Sequence, residues 1–102
     1  MMGHGDVVRL KVDMLGNPAG TFGIGFHDYG YLDGQARFHG CQFIFENGDY
    51  DGFDVNEQSD YLEFVTHRDD FYYEFTNVMQ LSRDYDASYF DKFLRIADDE
   101  KS

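Results

Sequence analysis

Apolar residues in this chain come in short runs, often alternating with polar ones, and no run exceeds three in succession, as at Phe43-Ile44-Phe45. A membrane-spanning helix needs about 20 consecutive apolar residues, so none can be written here. What can be written is a set of half-buried strands and amphipathic helices. Val8, Leu10, Val12 and Met14 alternate with Arg9, Lys11 and Asp13, which predicts a first strand. Gly16-Asn17-Pro18-Ala19-Gly20 ends it in turn residues. Phe22, Ile24 and Phe26 predict a second strand with Gly23 and Gly25 on its other face. Paired glycines at those positions predict a bend, or close approach by other backbone or rings. Residues 29–36 read as a loop. Phe38 to Glu46 predicts a third strand with Cys41, Phe43 and Phe45 on one face. Asn47-Gly48 is a hairpin signal, and a short fourth strand around Tyr50 to Phe53 follows it.

The second half reads as helix, strand, helix. Asp54 looks like an N-cap, with Glu57 three residues on completing a capping-box pattern. A helix from there to Val65 would gather Val55, Tyr61, Leu62 and Val65 on one face, leaving Phe64 among the acidic residues. Phe71, Tyr73, Phe75, Met79 and Leu81 share one parity and predict a long strand that Asn77 interrupts with a bulge. A final helix from about Asp86 would use Tyr89, Phe90, Phe93, Leu94, Ile96 and Ala97 as its apolar face, with Asp91 and Arg95 paired on the solvent side.

These elements imply an α+β fold: a small, strongly bent antiparallel sheet or SH3-like barrel of about five strands with two amphipathic helices. At 102 residues the chain is read as a single domain over 1–102, with 1–5 and 98–102 fraying. A core of this size needs no disulfide or metal. Cys41 is the only cysteine, so no intrachain disulfide or thiolate cage can form, which fits a reducing cytoplasm. The opening residues lack the basic and apolar regions of a signal peptide.

Charge narrows the function. Twenty acids against eight bases give −12. That speaks against direct binding of nucleic acid, which depends on Lys and Arg at the phosphates, and against anionic membrane surfaces. It fits solubility, attraction to a basic protein, or imitation of nucleic acid before a protein that handles it. The acidity is uneven: residues 1–51 hold seven acids and three bases, residues 52–102 thirteen and five. There are also eleven Phe and eight Tyr, more than a small core needs, so some rings should be exposed as contact residues.

The stretch Gly40-Cys41-Gln42-Phe43-Ile44-Phe45-Glu46-Asn47-Gly48-Asp49-Tyr50-Asp51-Gly52-Phe53, followed by Glu57-Gln58, resembles small phage and prophage proteins. Val12-Asp13-Met14 with Gly20-Thr21, Phe75-Thr76-Asn77-Val78 and Ser82-Arg83-Asp84 resemble flanking parts of the same set. The resemblance touches about half the chain. It implies a small phage-type SH3-like barrel and favours a host-directed inhibitor, but carries over no active site.

Several constellations have competing readings. Asn47, Asp49, Asp51 and Gly52 match the start of a calcium-binding EF-hand loop, but the Glu that should close it is Gln58. A looser calcium site on Asp49, Asp51 and Asp54 is the alternative to a turn followed by a helix cap, and the turn is preferred. Asp51, Asp54, Glu57, Asp60 and Glu63 recur every third residue, so on a helix Glu57, Asp60 and Glu63 would form a drifting acidic ridge around Phe64. Such a ridge is either a solvated face or a surface for Lys and Arg side chains built to hold phosphate. Cys41 reads as an inert core thiol. His4, His27, His39 and His67 lack metal-ligand spacing, and residues 20–25 lack the order of a phosphate loop or dinucleotide site.

The expectation is therefore a non-catalytic, cytoplasmic binding protein without cofactor. Its leading form is a phage-type inhibitor of a basic nucleic-acid-handling host factor, a DNA mimic of the anti-CRISPR kind. The predicted contact residues are Glu57, Asp60, Glu63 and Phe64, extended by Asp69 and Asp70. The alternatives are a self-assembling module, with a homo-oligomer as partner, and a small-ligand or calcium-binding domain.

Overall fold

The computed structural model describes residues 1–30 and 39–94, which hold five antiparallel strands, two short helices and a helical turn at residues 91–94. The elements are β1 (Asp6–Leu10), β2 (Phe22–Tyr29), β3 (Gly40–Phe45), β4 (Tyr50–Asp54), α1 (Gln58–Tyr61), β5 (Leu62–His67) and α2 (Val78–Asp86). All strands join one sheet in the order β4-β3-β2-β1-β5. The sheet is a meander whose last strand returns to pair with the first. It is not closed: β4 and β5 are its two edges.

Alternation in the first half sets the strands because both faces of the sheet are covered. On one face Val8, Leu10, Cys41, Phe43, Phe45, Phe53 and Leu62 form a single cluster. Phe53 and Leu62 come from strands at opposite edges, and the rings of Phe53 and Tyr61 lie 6.1 Å apart. Adjacent strands are about 4.8 Å apart, so a flat sheet would hold its edges far beyond contact. The sheet is strongly bent. Gly23 and Gly25 make the bend possible. A Cβ on Gly23 would lie 2.5 Å from the Phe45 ring, and one on Gly25 would lie 2.3 Å from the Gly3 carbonyl oxygen. The glycines thus admit both a ring and a backbone, as their spacing predicts, and β2 adds a bulge between Gly25 and His27.

The opposite face carries Val7, Phe22, Ile24, Phe26 and Ile44, covered by Phe71, Tyr73, Leu81, Phe90, Phe93 and Leu94. The C-terminal third is therefore a cover for the sheet. Its rings interlock edge to face, as at Phe71 and Phe93, 4.8 Å apart.

Five expectations from the sequence are corrected. β1 stops at Leu10, not Met14: Leu15 and Gly16 take positive φ in a tight turn, where Met14 and Asn17 bridge. Residues 2–5 are not frayed. The buried Gln58 amide accepts from the Met2 N–H at 2.8 Å and donates to its carbonyl at 2.7 Å, while the Gly5 N–H donates to the Gly25 carbonyl. The helix from Asp54 to Val65 shrinks to the four residues of α1, and Leu62 onwards is strand β5, paired to β1. The strand over residues 71–81 does not form. Phe71, Tyr73 and Phe75 keep their inward parity in an extended segment without ladder bonds, while Met79 and Leu81 belong to α2. The last helix starts late, with residues 87–90 in turns and 91–94 helical. The Asp91–Arg95 pair, Ile96, Ala97, Phe38, most of the 29–36 loop and the 98–102 tail lie outside the described residues.

Among the described residues no helix is long and apolar enough to cross a membrane.

Candidate functional site

The acidic residues singled out by their three-residue spacing fall on three different elements, so no helical ridge exists. Asp51 and Asp54 lie on edge strand β4, Glu57 caps α1, Asp60 lies within it, and Glu63 lies on edge strand β5. A spacing of three places Asp51 and Asp54 on opposite sides of an extended strand. Half of the predicted capping box survives. The Glu57 carboxylate accepts from the Asp54 N–H at 3.1 Å, but the Asp54 carboxylate turns away to accept from the Tyr29 hydroxyl at 2.7 Å. Burial first, and then that carboxylate, push the Tyr29 hydroxyl well above its ordinary range.

The predicted contact residues divide by whether a cation stands beside them. Glu63 is bonded by the Arg9 guanidinium, whose Nε lies 3.2 Å from Oε1, and this bond holds the Glu63 carboxyl below the usual range. Arg68 grips Asp70 with two parallel bonds of 2.8 and 2.6 Å and lowers it in the same way. Arg68 also lies 5.0 Å above the Phe93 ring, fixed between carboxylate and aromatic face. Asp69 lies 3.2 Å from His67 Nε2, while the other ring nitrogen of His67 is 2.6 Å from Asp6. The charges at 63 and 70 are thus drawn into pairs with arginines, and Asp69 lies beside an imidazole. Among the described residues, no ion pair reaches Asp49, Asp51, Asp54, Glu57 or Asp60. Among the described residues Lys11 lies beside α1, its Nζ donating to the Ser59 carbonyl at 2.6 Å.

Phe64 is 52 % exposed, as the sequence predicts, although on a strand and not a helix. It sits opposite Val8, next to a bulge where the β1–β5 register shifts.

Each of the three carboxylates named for calcium accepts a hydrogen bond. The Asp49 side chain accepts from Asn47 Nδ2, the Asp51 side chain from the Gly52 N–H, and Asp54 from Tyr29. Among the described residues no three His, Cys, Asp or Glu side chains converge on a point where an ion could sit. Cys41 is fully buried, and desolvation with the nearby Asp28 pushes its thiol far up, which disfavours the thiolate.

Sequence reasoning missed one feature. An apolar pocket of about 330 Å³ opens between the β3–β4 hairpin and α2, lined by Ile44, Tyr50, Val78, Met79, Leu81 and Tyr85. The signal was present as Val78, Leu81, Ser82 and Tyr85, an i, i+3, i+4, i+7 series. It was hidden by the parity of Phe71 to Leu81.

No family model matches the chain, and no curated protein or solved structure matches it.

Proposed function

We propose that the protein is a non-catalytic binding protein that docks a basic surface of a nucleic-acid-handling partner through the β4–α1 rim. The observation that carries this reading is the run Asp49, Asp51, Asp54, Glu57 and Asp60, which no ion pair reaches among the described residues, on a chain of net charge −12. Carboxylates outside ion pairs keep their field available to an incoming Lys or Arg. Phe64, exposed on the far edge strand, adds an apolar anchor. Glu63, Asp69 and Asp70 form the periphery, since each must give up a local partner before it can engage another.

The resemblance to small phage proteins supports an inhibitor acting in a bacterial host's cytoplasm, by imitation of nucleic acid. The meander with a fifth strand returning to the first supports an SH3-like barrel as the parent form of the bent sheet.

The test is capture of bacterial proteins on the immobilised chain, followed by challenge with salt and with duplex DNA. Both should release the specific partner, because salt screens exposed charge and DNA competes for the same cationic groups. Retention through both challenges would reject charge mimicry. A Phe64→Ala variant should fold with stability changed by no more than about 0.5 kcal/mol and bind the captured partner more weakly. A second reading, self-assembly through the sheet edges, is favoured by β4 and β5, each of which pairs on one side only among the described residues. A concentration-dependent increase in sedimentation mass would select it.

A further inference from the structure

The pocket between α2 and the β3–β4 hairpin has walls that suit an apolar side chain and surroundings that suit a cation. Ile44 and Leu81 form a buried floor, while Val78 is 50 % and Met79 69 % exposed at the mouth. Tyr85 closes one end. Its ring packs against Gly48, where a Cβ would come within 2.8 Å, and its hydroxyl donates to the Glu46 carbonyl at 2.5 Å. Carboxylates surround that end: burial, and then Asp91, Asp86, Glu46 and Asp49, push the Tyr85 hydroxyl up. Tyr85 and Asp86 also end α2, where the negative end of the helix dipole favours positive charge. The single basic residue of α2, Arg83, does not line the pocket.

We propose that this pocket is a socket for an aliphatic side chain carried on a Lys- or Arg-bearing segment of a partner protein, with the cation lying at the Tyr85 end. The proposal rests on the acidic-docking reading above and adds the chemistry that would be recognised. Charge selects the occupant. A second copy would bring its own −12 to the same carboxylates, whereas a basic segment is drawn to them. The orientation follows from the helix as well, because the Val78 end of α2 presents N–H groups that repel a cation.

Short synthetic peptides of Lys and Gly, carrying one central leucine or an alanine in its place, test the socket by fluorescence anisotropy at low salt. The leucine peptide should bind about ten-fold tighter, the worth of one partly buried aliphatic side chain. Met79→Gln, at an exposed position, should erase that advantage, and so should Ser82→Phe, which fills the cavity. Equal, salt-sensitive binding of both peptides would overturn the socket and leave the acidic-docking reading standing. No binding of either would overturn both. Loss of the leucine preference in Phe64→Ala, with Met79→Gln unaffected, would also overturn it by moving the anchor to β5.

Discussion

Gly25 is the residue on which the bend of the sheet most directly depends. A methyl group there would lie 2.3 Å from the Gly3 carbonyl oxygen and 2.9 Å from Sγ of the fully buried Cys41. Gly25→Ala should therefore lower stability by roughly 1–3 kcal/mol, the usual cost of overpacking, as a reduced midpoint in urea unfolding. An unchanged midpoint would mean that the N-terminal segment yields freely. This feature was legible in the sequence because small residues alternating with Phe22, Ile24 and Phe26 state that something must approach closely. The identity of the approaching group was not legible. Gly3 and Phe45 reach β2 only through the tertiary arrangement. The exposure of Phe64 was legible for the wrong reason, since its acidic neighbours signal solvent in a helix and in an edge strand alike.

At the scale of elements, the first four strands were readable and the second half was not. Val55, Tyr61, Leu62 and Val65 fit a helical period, but Leu62, Phe64 and Thr66 fit a period of two equally well. The choice was made by β1, whose free edge offers five ladder partners, which a four-residue helical turn cannot match. Residues 71–75 show the converse. Alternation there correctly reports which side chains face the core, but a ladder also needs a neighbouring strand, and the segment crosses the sheet face where none is available. Asn77, read as a bulge, is instead the cap of α2, its side chain accepting from the Gln80 N–H at 2.9 Å. Asn77→Ala should cost about 1 kcal/mol, and Asn77→Gly only a few tenths, as measured by thermal unfolding. No loss in either variant would show that the cap bond contributes little.

At the scale of the whole molecule, the cover is fastened to itself by Tyr73, whose hydroxyl donates to Asp84 Oδ2 at 2.6 Å. Burial, and then Asp84, push this hydroxyl far above its ordinary value of 10.0. The fold thus holds the phenolic proton more tightly than the unfolded chain does. Its stabilising contribution is complete below pH 10.0 and is lost as pH rises above that point. Melting temperature should hold steady up to about pH 9 and then fall. Tyr73→Phe should melt lower at neutral pH but show a shallower alkaline decline. A decline of equal steepness would assign the effect to other groups, Tyr29 first among them.

The rim of β4 has one more consequence. A sheet that ends in an unpaired strand invites copies of itself to add on, and mutual repulsion between copies is a common defence. Asp49, Asp51 and Asp54 stand along one such border. Replacing all three with asparagine should leave the monomer folded yet convert it, on prolonged incubation, into thioflavin-positive fibres that the parent chain resists. The side chains proposed to meet a basic partner would then also be the chain's protection against amyloid.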